Sequence, residues 1–171
     1  MIRSAHPSDA ESVLAIYRDY VFNSAVTFET EAPSVDEMRT RIANALESHA
    51  WLVHERAPQL NGYAYATRFH PRPAYRWSTE VSVYVRSGAH GQGIGRALLE
   101  NLLATLKGRG YVNAFAGIAL PNTASVRLFE NRGFEQVAVH KEVGYKLGRW
   151  RDVGWWQLRL ASATNPPPLI E

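Results

Sequence analysis

The chain of 171 residues contains no cysteine. Disulfides, thiolate metal sites and cysteine nucleophiles are therefore excluded, no metal is expected, and a cytoplasmic location is left unopposed. Long apolar runs are also missing: nothing spans a bilayer and residues 1–7 lack the apolar core of a signal peptide, so no membrane partner is expected. Basic residues do not form long runs, and a net charge of +3 suits either a polyanionic ligand or plain solubility, with no nucleic acid expected. Repeats are absent. The length fits one domain over residues 1–161, followed by a Pro-rich tail over 162–171 that is expected to be flexible.

Two common phosphate-binding signatures are missing as well. The glycine-rich stretch after residue 85 ends Gly95-Arg96-Ala97, not Gly-Lys-Ser/Thr, and Arg96 stands where a dinucleotide fingerprint starting at Gly91 requires glycine. What is present is a strand over 78–85, then Gly88, Gly91, Gly93 and Gly95, then Ala97, Leu98, Leu102, Leu103 and Leu106 at helical spacing. A helix opening from such a turn aims unpaired N–H groups and its positive dipole end at one point, an anion site suited to phosphate or pyrophosphate. The same residues also read as a tight strand–helix connection without a ligand, and both readings stay open on spacing alone.

Along the rest of the chain, Ser8/Glu11 and Ser34/Glu37 read as capping boxes before two amphipathic helices. Residues 51–55 and 62–67 read as a hairpin closed by an Asn61-Gly62 turn. Residues 68–77 form a Pro-, Arg- and aromatic-rich exposed loop, suited to a small anionic ligand or simply a solvated basic loop. Residues 112–119 read as a strand, Asn122 or Thr123 as the cap of a short helix, and 136–145 and 152–160 as two last strands. Strands interleaved with helices imply an α/β sandwich around a mixed, mostly antiparallel sheet.

The segment Val83-Tyr84-Val85 followed by His90-Gly91-Gln92-Gly93-Ile94-Gly95 resembles the acetyl-CoA loop of GNAT acetyltransferases, with His90 where Gln or Arg is usual. A second matching run is Leu120-Pro121-Asn122-x-x-Ser125-Val126-x-Leu128, closing with Gly133-Phe134. Nearly the whole chain is similar to the phosphinothricin/methionine-sulfone branch, through Thr27–Glu31, Arg72-x-Ala74-Tyr75-x-Trp77-x-x-Glu80, and Gly148-x-Trp150-x-Asp152-Val153-Gly154-x-Trp156-Gln157-Leu158. The resemblance implies a single-domain GNAT fold and transfer of acetyl from acetyl-CoA to the α-amino group of a small amino acid analogue, in a homodimer. It implies Glu80 as catalytic base, an acid that could instead pair with Arg72 or Arg76. It further implies Phe28, Glu29, Arg72, Tyr75 and Trp77 around the acceptor. Cofactor contacts fall to Val83, Tyr84, Val85, His90, Gly91, Gln92, Gly93, Ile94, Gly95, Arg96, Asn122 and Ser125.

Relatives commonly carry Tyr or His where this chain has Phe129, which cannot protonate a departing thiolate, so no general acid is assigned. Rival readings are an acetyltransferase for a protein N-terminus, polyamine or aminoglycoside, and a CoA-binding sensor without turnover. The Trp150/Trp155/Trp156 cluster reads as interface or core, and His140 as structural.

Overall fold

The structure, a computed structural model, describes residues 1–170. In chain order its elements are β1 (Ile2–Ser4), α1 (Ala10–Asn23), α2 (Val35–Ser48), β2 (Ala50–Arg56), β3 (Gln59–Arg68), β4 (Ser78–Val85), α3 (Ile94–Gly108), β5 (Asn113–Leu120), α4 (Thr123–Glu130), β6 (Glu135–Lys146) and β7 (Arg149–Arg159). The strands form one seven-stranded sheet in the order β1-β2-β3-β4-β5-β7-β6. Every neighbouring pair is antiparallel except β4 and β5, so the mixed, mostly antiparallel α/β sheet is as expected. No helix of the described residues is long and apolar enough to cross a membrane.

Period-two alternation sends successive side chains of the inner strands to opposite faces of the sheet, and helices cover both faces there. On one face Leu98, Leu102 and Leu106 of α3, with Phe129 of α4, pack on Ala64, Ala66, Val81, Ala114 and Ala116. On the other, Val13, Leu14 and Tyr17 of α1 and Met38 and Ile42 of α2 cover Trp51, Val53, Tyr63 and Tyr84.

Three local expectations are corrected. The first capping box forms on His6 and Asp9, not on Ser8 and Glu11. His6 Nδ1 accepts from the Ser8 N–H at 3.2 Å, and Asp9 accepts from the His6 N–H at 2.8 Å. Pro7, with its φ fixed for a helical first position, starts a 3-10 turn before Ser8, and Arg3 grips both Asp9 oxygens at 2.8 and 2.9 Å. The Ser34/Glu37 box forms as expected.

Asn61 and Gly62 lie inside β3, and the chain reverses instead at Ala57-Pro58, with a bulge between His54 and Glu55. Gly62 is there for room. A Cβ on it would sit 2.8 Å from the Tyr84 carbonyl oxygen and 3.1–3.2 Å from Leu98 and Ile94. The last hairpin is tighter than the expected 146–150 break: Leu147 (φ 52°) and Gly148 (φ 78°) make a two-residue turn with both φ positive.

Residues 162–170 lack regular secondary structure and lie on the domain: Trp77 Nε1 donates to the Pro168 carbonyl at 2.8 Å, and Ile170 packs on the α3-side core. We predict that Gly62→Ala lowers unfolding stability by about 1–3 kcal/mol through overpacking. Chemical denaturation checks this, and an unchanged midpoint would contradict the close approach of β3, β4 and α3.

Candidate active site

Strands β4 and β5 pair only through Ser78↔Asn113, Thr79↔Ala114 and Glu80↔Phe115. Beyond Glu80 each follows its outer neighbour, β4 running with β3 as far as Val85 and β5 with β7 as far as Leu120. The sheet is therefore split into two halves joined at the Glu80 level. The ladder's phase follows from two bonds: Arg86 N–H donates to the β3-side Asn61 carbonyl at 2.8 Å, and the Trp77 carbonyl accepts from Val112 at 2.9 Å. Odd residues of β4 thus turn their N–H and C=O towards β5; the Val81 N–H makes the last ladder bond, to Phe115, and past it the Val81 carbonyl and both backbone groups of Val83 and Val85 face the gap. Backbone groups in such a place need partners. Val85 has one already: the Tyr20 hydroxyl donates to its carbonyl at 2.6 Å and accepts its N–H at 3.4 Å.

Two cavities meet across this gap. On the α1/α2 side a cavity of about 260 Å³ is lined by Tyr17, Val26–Phe28, Tyr65, Glu80, Ser82, Tyr84, Gly117, Ala119, Val153 and Trp155. On the α3/α4 side a narrower one, about 40 Å³, is lined by Val81, Val83, Ile118, Asn122, Ser125 and Phe129. Val26, Ser82, Tyr84, Gly117 and Ala119 belong to both, so one ligand can enter from each face and the two can touch in the gap.

Glu80 sits at the closed end of the gap, half-buried, with its side chain on the 260 Å³ cavity. It makes no hydrogen bond or ion pair among the described residues, so the alternative pairing with Arg72 or Arg76 does not form. Burial alone raises its pKa above the ordinary 4.5. Glu29 is the opposite case. Arg41 holds both its oxygens, at 3.0 and 2.6 Å, and the Tyr17 hydroxyl donates to it as well, which keeps its pKa low. Glu29 therefore braces the wall of the cavity and does not line it.

The phosphate-loop reading is matched by three glycines at positive φ, Gly88, Gly91 and Gly93. Gly93 is the N-cap of α3 and no side chain caps the helix, so the first-turn N–H groups, Ile94, Gly95 and Arg96 among them, are left for a ligand. The Ile94 side chain is buried in the core, Gln92 reaches back to the Gly88 carbonyl at 3.5 Å, and Arg96 pairs with Glu100 at 3.0 Å. His90 lies beside the loop with Nε2 3.0 Å from the Tyr20 hydroxyl. Because that hydroxyl donates to Val85, His90 donates to it. Asn122 caps α4 by accepting the Ser125 N–H at 3.1 Å.

Of the acceptor residues expected from sequence, only Phe28 lines the cavity. Arg72 and Tyr75 lie exposed on the 3-10 turn Pro73–Tyr75 and its cap, and Trp77 is turned towards the C-terminal segment and Arg76. Phe129 is packed edge-on against Phe134 at 5.0 Å and offers no proton.

Sequence reasoning missed Tyr17, Tyr20, Tyr65 and the β6 wall. At that wall Gly144 leaves space for the Phe28 ring, which a Cβ would strike, and Lys146, 5 % exposed, donates to the Thr27 carbonyl at 2.8 Å. Its pKa is lowered by desolvation. The aromatic richness of α1 and β3 was the only signal, and it reads equally well as core.

A family model described as Acetyltransferase (GNAT) domain matches residues 2–155. The chain belongs to the GNAT acetyltransferase family. It is accordingly an N-acetyltransferase. It is 42% identical to a phosphinothricin N-acetyltransferase of Alcaligenes faecalis over 98% of this chain and 86% of that one. It is 33% identical to an L-methionine sulfoximine/L-methionine sulfone acetyltransferase of Pseudomonas aeruginosa, over 97% of this chain and 98% of that one. A GNAT superfamily phosphinothricin acetyltransferase from Sinorhizobium meliloti, solved in complex with AcCoA, superposes with a TM-score of 0.93 at 34% identity, covering 98% of this chain and 92% of that one.

A base must be ionised to act, so with Glu80 as the base proposed below the reaction should slow as pH falls through its raised pKa, above 4.5. Glu80→Gln should abolish that acid limb. The variant also removes the cost of a buried charge, which the wild type bears at pH above the Glu80 pKa, so at pH 7.5 it should be no less stable. An acid limb unchanged in Glu80→Gln would contradict the assignment.

Proposed function

We propose that the protein transfers acetyl from acetyl-CoA directly to the α-amino group of a small amino acid analogue of the phosphinothricin, methionine sulfone or methionine sulfoximine type. The observation that carries this reading is the unpaired, half-buried Glu80 on the wider cavity, at the closed end of the gap through which the two cavities meet. The narrow α3/α4-side cavity suits an extended thioester arm, whose amides can bond to the open Val81 carbonyl and Val83 backbone, with its pyrophosphate on the uncapped start of α3. The wider cavity takes the amine.

In that arrangement Glu80 removes a proton from the acceptor ammonium, directly or through a water. The amine attacks the thioester carbonyl and forms the C–N bond, the carbonyl oxygen takes the charge near the Val83 N–H, and collapse breaks the C–S bond. The thiolate leaves unprotonated, which a thiol of pKa about 8.5 tolerates; Phe129 has no part in it. Acceptor charge follows from the wall: Glu29 is neutralised by Arg41, so the cavity carries no free acid besides Glu80 and does not favour a polyamine. The Arg72 side chain makes no hydrogen bond or ion pair among the described residues and is the residue assigned to the acceptor's acidic group.

The protein is further read as a cytoplasmic homodimer. Val137, Val143, Tyr145, Leu147 and Trp150, the last 60 % exposed, leave an apolar surface on the edge hairpin, while Trp156 is core and Trp155 lines the cavity. Sedimentation velocity should give about twice the 19.2 kDa chain mass for the wild type and the chain mass for Trp150→Glu. A wild-type monomer would contradict the dimer.

CoA thiol release should saturate with phosphinothricin, methionine sulfone and methionine sulfoximine, and the acceptor KM should rise roughly tenfold or more in Arg72→Ala. Turnover on spermidine or a peptide alone would overturn the acceptor assignment, and acetyl-CoA binding without any turnover would favour the sensor reading.

A further inference from the structure

A further cavity, of about 390 Å³, lies away from the split of the sheet. It lies between α2 and strands β2 and β3, and we propose that it is a second ligand site, for a small carboxylate carried on an apolar ring-sized body. The volume is that of a small-molecule pocket. Its inner wall is aromatic: Trp51 stacks on Tyr65 at 4.3 Å and on Tyr63 at 5.5 Å, with Met38 and Ala45 of α2 opposite. Such a surface takes an apolar ring.

Two observations supply the carboxylate. Trp51 is 2 % exposed, and its indole N–H is buried without an acceptor, a group whose burial is costly unless something accepts from it. At the rim, Arg68 is exposed, lines the cavity and makes no ion pair or hydrogen bond among the described residues. Arg41 also lines the cavity, but Glu29 already holds it in a two-point pair. No Asp or Glu is in the lining. The field there is positive enough that Arg68 and Arg109 help to lower the pKa of the rim residue His49, after desolvation. An anion is therefore favoured and a cation is not.

This site is joined to the transfer site. Tyr17 and Tyr65 line both cavities, and Arg41 of the second holds Glu29, which with Tyr17 and Thr27 braces the transfer-site wall. Occupancy should therefore change the acceptor KM, a consequence that rests on the transfer reading, whereas binding itself does not.

Phenylacetate is the probe, titrated calorimetrically into the full chain, with 2-phenylethanol as its uncharged counterpart. The expected result is 1:1 binding of phenylacetate that persists with saturating acetyl-CoA and in Phe28→Ala, and that weakens about tenfold or more in Arg68→Ala. Arg68 is on the surface, so that variant should fold. Trp51→Phe, which keeps a ring and deletes the donor, should weaken binding as well, and 2-phenylethanol should bind more weakly than phenylacetate. Phenylacetate should shift the acceptor KM in the wild type and leave it unshifted in Arg68→Ala. Absence of binding up to about 10 mM, an affinity below any specific site of this size, would overturn the proposal. Binding unaffected by Arg68→Ala, or displaced by the acceptor and lost in Phe28→Ala, would also overturn it, the latter placing the probe in the transfer cavity.

Discussion

The rest of the site depends on the parting of β4 from β5 after Glu80. Each strand remains fully paired on its other side, so the parting costs the sheet only the ladder bonds between the two inner strands. It leaves the Val81 carbonyl and the N–H and carbonyl of Val83 facing a slot open to both faces. Two helical layers could not otherwise share one reaction centre, because an unbroken sheet would separate them. The transfer proposed above asks for a base on β4, at the last paired residue, with its side chain on the α1/α2 face. Glu80 meets all three conditions.

The two acids near the slot are set apart by their surroundings. Glu80 has burial and no partner, so its proton is held more tightly. Glu29 has a two-point guanidinium pair and a tyrosine hydroxyl, so it stays ionised and spent. Opposite environments for two carboxyls identify the one able to exchange a proton. The same network ties α1, α2 and the 25–31 segment together, and Lys146 and Gly144 of the last hairpin close it from the far side. The acceptor wall is thus built from four separate stretches of chain.

That origin explains what was legible in the sequence. The phosphate loop and the Glu80 strand are contiguous, so spacing alone exposes them, and Asn122 announces its cap two residues before the α4 interior. The Tyr17–Thr27–Glu29–Arg41 network joins residues far apart in sequence, and nothing in the local pattern distinguishes Tyr17 from a core residue. The errors have the same physics. Ser8/Glu11 has the spacing of a capping box, but Pro7 and the Arg3–Asp9 pair start the turn a step earlier. Asn61-Gly62 is a strong turn signal by composition, yet Gly62 is needed where β3, β4 and α3 crowd together, a constraint visible only in three dimensions. Arg72, Tyr75 and Trp77 are no such case: they lie outside the cavity lining in the single chain, and their contact with an acceptor is the proposal made above.

Direct transfer requires both substrates to occupy the slot together. Initial rates over a matrix of acetyl-CoA and phosphinothricin concentrations test this. Direct transfer predicts double-reciprocal lines that intersect, the signature of a ternary complex. Parallel lines, with acetyl trapped on the protein in the absence of acceptor, would mean an acyl-enzyme intermediate and would contradict it.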